Sequence, residues 1–323
     1  MPLRQFATLT RPKLGISACL LGEPVRYNGG HKESRLCSRT LSEHFDFVPV
    51  CPEMAIGLGT PREPIRLVGS PERPRAVGSV DSSLDVTEAL QAYGARMAHE
   101  LNDLSGFILM QKSPSCGMER VKVYSENGMP SQPEGVGLFA RAFCEQRPEL
   151  PVEEAGRLND PILRENFVTR VFAYAQWQEL LQQGLTYKAI LGFHSRYKYQ
   201  LMAHHPEQFK ELGRLLGNIG SHDPNELGRK YFKGVMVALK RCATRGNHCN
   251  VLYHLFGYLR KSLSAADKQE MQHLIEQYHK GIVPLVVPLT LLKHHFRRHP
   301  DHYVAEQSYM QPHPEDLSLR NAI

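Results

Sequence analysis

Three cysteines stand where an apolar run gives out: Cys19 in "ISACLLG", Cys51 in "VPVCPE", and Cys116 in "KSPSCG" after "SGFILM". Proline removes a backbone donor and glycine opens conformations closed to other residues, so "SPSCG" ends its strand abruptly. It delivers two hydroxyls and a thiol to the turn. In an open α/β sheet the ligand crevice lies outside the carboxyl ends of the strands. Thiols at three such ends, 32 and 65 residues apart in the chain, can therefore converge on one point. Zinc takes four ligands in structural sites, and catalytic zinc usually has histidine or carboxylate among its three. His31, His44 and His99 are the histidines of this half, and none has a comparable strand-end context. An iron–sulfur cluster is the other soft-thiolate option, and buried structural thiols are the plainer competitor. Glu53 lies two residues past Cys51, and Ser113 and Ser115 lie beside Cys116, with Arg62 of "PREP" near in sequence. Thiols, an acid and hydroxyls at one crevice are the parts of a catalytic site rather than of a core.

The elements that must position these residues divide the chain in two. In the first half, "KLGISACLL" (13–21), "FDFVPV" (45–50) and "GFILM" (106–110) read as buried strands, with "VKVYS" (121–125) a weaker one. The stretch 83–103 has helical apolar spacing, with Asp85 and Glu88 in its first turn. Strand, helix, strand in that rhythm predicts a parallel-sheet, Rossmann-like α/β domain over 1–155. Residues 57–78, rich in Gly, Pro and Arg, read as a long surface excursion. From 156 to 323 the periodicity predicts an all-α domain, with helices over 162–183, 186–204, 206–219, 224–244, 248–263 and 264–281. Seven scattered cysteines do not make a disulfide framework, which points to reduced thiols. Cys37 reads as a surface thiol and Cys144 as a core one, while Cys242 and Cys249, with His248 between, match no familiar zinc spacing.

Charge follows the same division. Residues 1–150 carry 17 basic and 17 acidic side chains, so the formal +6 lies wholly in 151–323, with thirteen of the 16 histidines. Residues 185–262 hold 13 Lys and Arg against 4 Asp and Glu. An excess of that kind suits a polyanion, nucleic acid being the usual one, although a solvated helical surface would read alike. Arg196, Lys198, Lys230 and Lys233 are candidate phosphate contacts, as are Lys240, Arg241, Arg245 and Arg260, with Lys261 following. Tyr197, Tyr199, Tyr231, Phe232 and Tyr258 interleave with them as candidate stacking faces or as a bundle's apolar stripe. No apolar run approaches the roughly 20 residues a bilayer span needs. The opening residues carry a short basic lead without a long apolar region, which predicts a cytoplasmic protein.

"ISACLLGEPVRYNGG", "VCPEMAIGLGTPREP" and "KSPSCG" together resemble the thiouracil desulfurase (TudS) family. The second half resembles the YbgA-type helical domain through "HSRYKYQLMAH", "NVLYHLFGYLRKSL", "IVPLVVPLTLLKHHF" and the closing "LRN". The fused arrangement is similar to RudS-type tRNA 4-thiouridine desulfidases. That resemblance implies a [4Fe-4S] cluster held by Cys19, Cys51 and Cys116, with its fourth iron open to a substrate sulfur. It also implies an acid at Glu53, a serine at Ser113, and tRNA as the partner. The family often reads "RYDG" where this chain has "RYNG", so Asn28 stands outside the implied catalytic set. Other readings that keep the thiols are desulfuration of free thiouracil or thiouridine, a non-enzymatic iron–sulfur protein that binds RNA or senses redox state, and a structural zinc protein.

Overall fold

A computed structural model describes residues 11–125, 129, 134–217 and 223–323. The reading of residues 1–10, and the last two residues of the helix expected over 206–219, lie outside the described residues. The chain forms two compact units that divide between Asn159 and Asp160.

The α/β unit is built on four parallel strands in the order β2-β1-β5-β7, where β1 is Lys13–Ser17, β2 Asp46–Val50, β5 Gly106–Leu109 and β7 Val152–Glu154. Leu14, Ile16 and Ile108 are fully buried, which is why these short runs lack polar alternation. Pro49 fits because β2 lies at the sheet edge, where a missing N–H breaks no ladder. The chain leaves β1 for β2 on one side and later returns to β5 on the other, so a switch point lies beside β1. Helices α2 (Thr87–Glu100) and α3 (Leu138–Gln146) pack on one another, and Phe139 and Phe143 meet Phe107 of β5 edge-on at 6.0 and 5.1 Å.

Residues 57–78 are not the structureless excursion expected. They contain a hairpin, β3 (Ile65–Ser70) and β4 (Arg73–Gly78), which pairs with β6 (Val123–Tyr124) in a second sheet. Ile65, Leu67, Ala76 and Val123 give it its own small core. The first strand is also shorter than its apolar run, since Ala18–Leu21 turn into a 3-10 helix that Gly22 closes at φ 94°.

The helical unit holds α4 (Pro161–Gln182), α5 (Tyr187–His204), α6 (Pro206–Gly217), α7 (Pro224–Lys240), α8 (Arg245–Leu259), α9 (Ala265–His279), α10 (Val286–Arg298) and α11 (His302–Ala305). Asp160, Thr186, Asp223 and Thr244 accept backbone N–H groups at the starts of α4, α5, α7 and α8. Ser264 and Asp267 form a reciprocal capping box on α9. Such caps contribute about 1 kcal/mol each. One core gathers on Trp177, stacked on Phe232 at 4.8 Å, and a second on Leu252, Leu255 and Leu292. Among the described residues no helix is long and apolar enough to cross a membrane.

Candidate active site

The carboxyl ends of β1, β2 and β5 open onto one cavity of about 440 Å³ whose lining includes Cys19, Cys51, Glu53, Arg62, Ser113, Ser115 and Cys116. Cys19 sits in the turn after β1, Cys51 caps the short helix α1 (Pro52–Ala55) after β2, and Cys116 follows β5 in the Ser-Pro-Ser-Cys-Gly loop. The strand-end placement thus brings the three thiols to one crevice. Burial pushes the Cys19 thiol up to about 11 and the Cys116 thiol up to about 12, and it raises Cys51 as well. The charges of Cys51 and Glu53 act on both Cys19 and Cys116, so the thiols and the carboxylate share one electrostatic neighbourhood.

Glu53 is held from both sides. Arg62 donates to its Oε2 from Nε at 3.0 Å and from Nη2 at 2.6 Å, and Ser115 Oγ donates to its Oε1 at 2.6 Å. Because the Ser115 proton is engaged there, Ser113 Oγ, 2.9 Å away, is the donor to Ser115 Oγ. Ser113 Oγ in turn accepts the backbone N–H of Cys116 at 3.1 Å. A relay therefore runs from Ser113 through Ser115 to Glu53. Ser113 lies in the cavity, one hydroxyl removed from the acid.

Three contributors stood out less in the sequence. Ser115 is the direct neighbour of Glu53 and is 1% exposed. Arg62 also donates to Gly59 O at 2.7 Å and Val25 O at 2.9 Å, and so ties together the loops on either side of the acid. Ser17, two residues before Cys19, hydrogen-bonds the Cys116 thiol and accepts the Met110 N–H at 3.0 Å. "PREP" hinted at Arg62 by proximity alone, and a buried serine beside a cysteine is the signal for Ser17. Asn28 is exposed, and its Oδ1 accepts the Gly30 N–H at 3.1 Å, which leaves it shaping its own turn.

The other cysteines stand elsewhere. Cys37 is fully buried, contrary to the surface reading, because the π-helical turn Leu36–Thr40 points it inward. Cys144 is half-buried rather than core, Cys242 is half-buried, and Cys249 is buried with its thiol toward Ile275 O. Among the described residues no group of three or more His, Cys, Asp or Glu side chains could hold a metal ion.

In the helical unit α5 packs against both α7 and α8, and these helices and their ends carry the eight basic candidates. Arg196, Lys233, Lys240, Arg241 and Arg260 are exposed. Lys230 is ion-paired to Glu226 at 2.7 Å, and Arg245 lies over the Tyr278 ring. Lys198 is half-buried, 5.2 Å from the ring centre of Tyr199. Of the interleaved aromatics, Tyr197, Tyr199, Tyr231 and Phe232 are core, while Tyr258 is 43% exposed.

Comparison with known proteins yields matches to both halves. The profile of the 2-thiouracil desulfurase family matches residues 14–155, and that of DUF1722, a family of unknown function, matches residues 198–314. The uncharacterized protein YbgA of Escherichia coli (strain K12) is 32% identical over 154 residues, 47% of this chain and 91% of that protein. The uncharacterized protein YbbK of Bacillus subtilis (strain 168) is 37% identical over 109 residues, 32% of this chain and 71% of that one. A solved structure titled [4Fe-4S]-dependent thiouracil desulfidase TudS aligns with a TM-score of 0.34 and 30% identity, covering 46% of this chain and 94% of its own.

Proposed function

The chain belongs to the 2-thiouracil desulfurase family over residues 14–155 and to the DUF1722 family over residues 198–314, and from that premise we infer that it is an iron–sulfur-dependent desulfidase which hydrolyses 4-thiouridine in tRNA to uridine. The observation that carries this reading is the meeting of Cys19, Cys51 and Cys116 with Glu53 at one cavity. Three thiols around a crevice, with no imidazole among its lining side chains, are a donor set that fits a [4Fe-4S] cluster bonded through those three residues. When bound, such a cluster supplies a Lewis-acidic iron with affinity for soft sulfur.

The chain's own groups account for the rest of the chemistry. Thiocarbonyl plus water gives carbonyl plus hydrogen sulfide, with no net oxidation, so both protons of water must leave oxygen, one as it attacks and one as the C–S bond breaks, and both end on sulfur. Glu53 is the group that takes and returns them in turn. Arg62 fixes the carboxylate from one side and Ser115 from the other, and Ser113 steadies Ser115 from within the cavity. The cavity of about 440 Å³ would hold the cluster and the thiolated base together. The exposed Arg196, Lys233, Lys240, Arg241 and Arg260 supply positive surface for a polyanion, which a free base would not need.

The test is anaerobic incubation of the loaded enzyme with bulk tRNA and, separately, with free thiouracil, followed by nucleoside analysis. Loss of 4-thiouridine with release of sulfide is expected. Glu53→Ala should keep the cluster absorbance and lower turnover by about 10²–10⁴-fold. Alanine at Cys19, Cys51 or Cys116 should remove both. Turnover by a cluster-free preparation refutes the scheme, and conversion of thiouracil but not of tRNA replaces the substrate with the free base.

A further inference from the structure

Helix α10 and the 3-10 turns Ser308–Met310, Glu315–Leu317 and Leu319–Asn321 enclose a second cavity, of about 320 Å³, wholly within the helical unit. Its floor includes Leu289 and Met310, and its wall carries Lys293, Arg297, His313 and Arg320. Arg320 belongs to the "LRN" stretch, which the active site does not use.

Arg320 is 7% exposed. Its Nε stands 3.3 Å from Glu165 Oε1, Nη1 donates to Tyr309 O at 2.5 Å, and the guanidinium lies 4.9 Å from the centre of the Tyr309 ring. Its Nη2 is buried without a hydrogen-bond partner. His313, 4% exposed, stands beside it with Nδ1 donating to Pro314 O at 3.1 Å and Nε2 3.8 Å from Glu165 Oε1. A buried charged donor left unmade is costly, and Nη2 of Arg320 belongs to a residue that lines the cavity. Lys293 is paired with Glu315, whereas Arg297 is exposed and has no ion pair among the described residues. Lys293, Arg297 and Arg320 outnumber the carboxylates of Glu315 and Glu165 by one. A guanidinium fork favours phosphate or carboxylate, and the charge surplus beside an apolar floor favours a phosphate carrying a flat organic group.

We propose that this cavity binds a phosphate monoester of a nucleoside, either a free nucleotide or the terminal phosphate of an RNA strand. The site does not depend on the desulfidase reading, and binding alone reports on it. Calorimetric titration of the full chain with uridine 5′-monophosphate, uridine, inorganic phosphate and a 5′-phosphorylated oligouridylate tests it. The expected result is binding of the monophosphate at least about tenfold tighter than uridine, lost in the double variant Lys293→Gln/Arg297→Glu and retained in Glu53→Ala. Tighter binding of the oligonucleotide than of the monophosphate would support the RNA source, and no gain over the monophosphate the free one. Arg320→Ala should abolish binding. Because that residue is buried, Arg320→Lys with an unchanged circular dichroism spectrum serves as the folded control, and weaker phosphate binding is expected of it. Equal affinity for uridine and its monophosphate, or full binding by the Lys293/Arg297 double variant, overturns the proposal. Turnover of free thiouracil by that variant should equal wild type.

Discussion

On the proposed reading Glu53 is the base, and Arg62 is what keeps its carboxylate from swinging. The two side chains are 15% and 6% exposed and meet at 2.6 Å, so neither is a solvated surface ion. Removing one partner of a buried pair leaves the other uncompensated, at about 3–5 kcal/mol. Arg62→Ala should therefore lower the thermal midpoint and turnover together. Arg62→Lys keeps the charge but not the fork, and should restore part of the stability and less of the activity. Unchanged melting of Arg62→Ala would show that the pair is decorative. The placement of the cysteines and the acid could be read from the sequence because each lies in a turn that follows a strand, Cys116 seven residues past the end of β5. Arg62 could be named only by its nearness in sequence and Ser17 not at all, since their partnerships exist only after the loop through Gly59 folds back and β1 lies beside β5. Cys37 was misread for the complementary reason: one π-helical turn buries a residue whose neighbours Ser38 and Arg39 look solvated.

The Ser-Pro-Ser-Cys-Gly loop takes its shape from α3. The backbone N–H groups of Leu138 and Ala140 donate to Pro114 O at 3.0 Å and Ser115 O at 3.1 Å, and Gly137 N–H donates to Gly117 O at 2.8 Å. Such an approach has no room for a side chain: a Cβ on Gly137 would stand 2.5 Å from Ser115 O and 2.8 Å from Gly117 N, both backbone atoms that cannot step aside. Gly137→Ala should cost about 1–3 kcal/mol. Because it displaces the residue that touches Glu53, on the cluster reading iron content and turnover should fall further than the melting temperature alone predicts. A variant that melts lower yet keeps normal iron and rate would separate α3 from the site. At this scale β1, β2 and β5 were readable because they lie in near-continuous apolar runs, whereas β7 is Val-Glu-Glu. The hairpin of 65–78 was hidden by Gly69, Pro71 and Pro74, which punctuate it like a loop although its alternate residues form a core.

Across the molecule, charge and titration set conditions for the two units separately. If the basic helices hold an RNA backbone, raising salt should depress turnover on tRNA steeply and leave free thiouracil nearly unaffected, and parallel salt profiles would contradict that division. The helical unit should also be acid-sensitive. Burial, then the Arg320 charge, hold the His248 imidazole down at about 3 against its usual 6.5. Its contribution is complete above pH 6.5 and is lost as pH falls from there toward 3. Burial pushes the Glu165 carboxyl up, but His313 and Arg320 outweigh it and hold it below its usual 4.5, so that contribution is present above 4.5 and is lost below it. Melting temperatures should drop between pH 6.5 and 4.5, and His248→Gln should flatten that slope. The whole-chain division was readable because periodicity and charge change together near residue 155, whereas the buried Glu165–Arg320 contact joins residues 155 positions apart that no local pattern links. The three crevice thiols belong to separate crossings of the sheet, so on the cluster reading iron would close loops of 32 and 65 residues in one stroke. The metal would then act as a rivet as well as a reagent, and a cell short of iron would hold a slacker protein rather than merely an idle one.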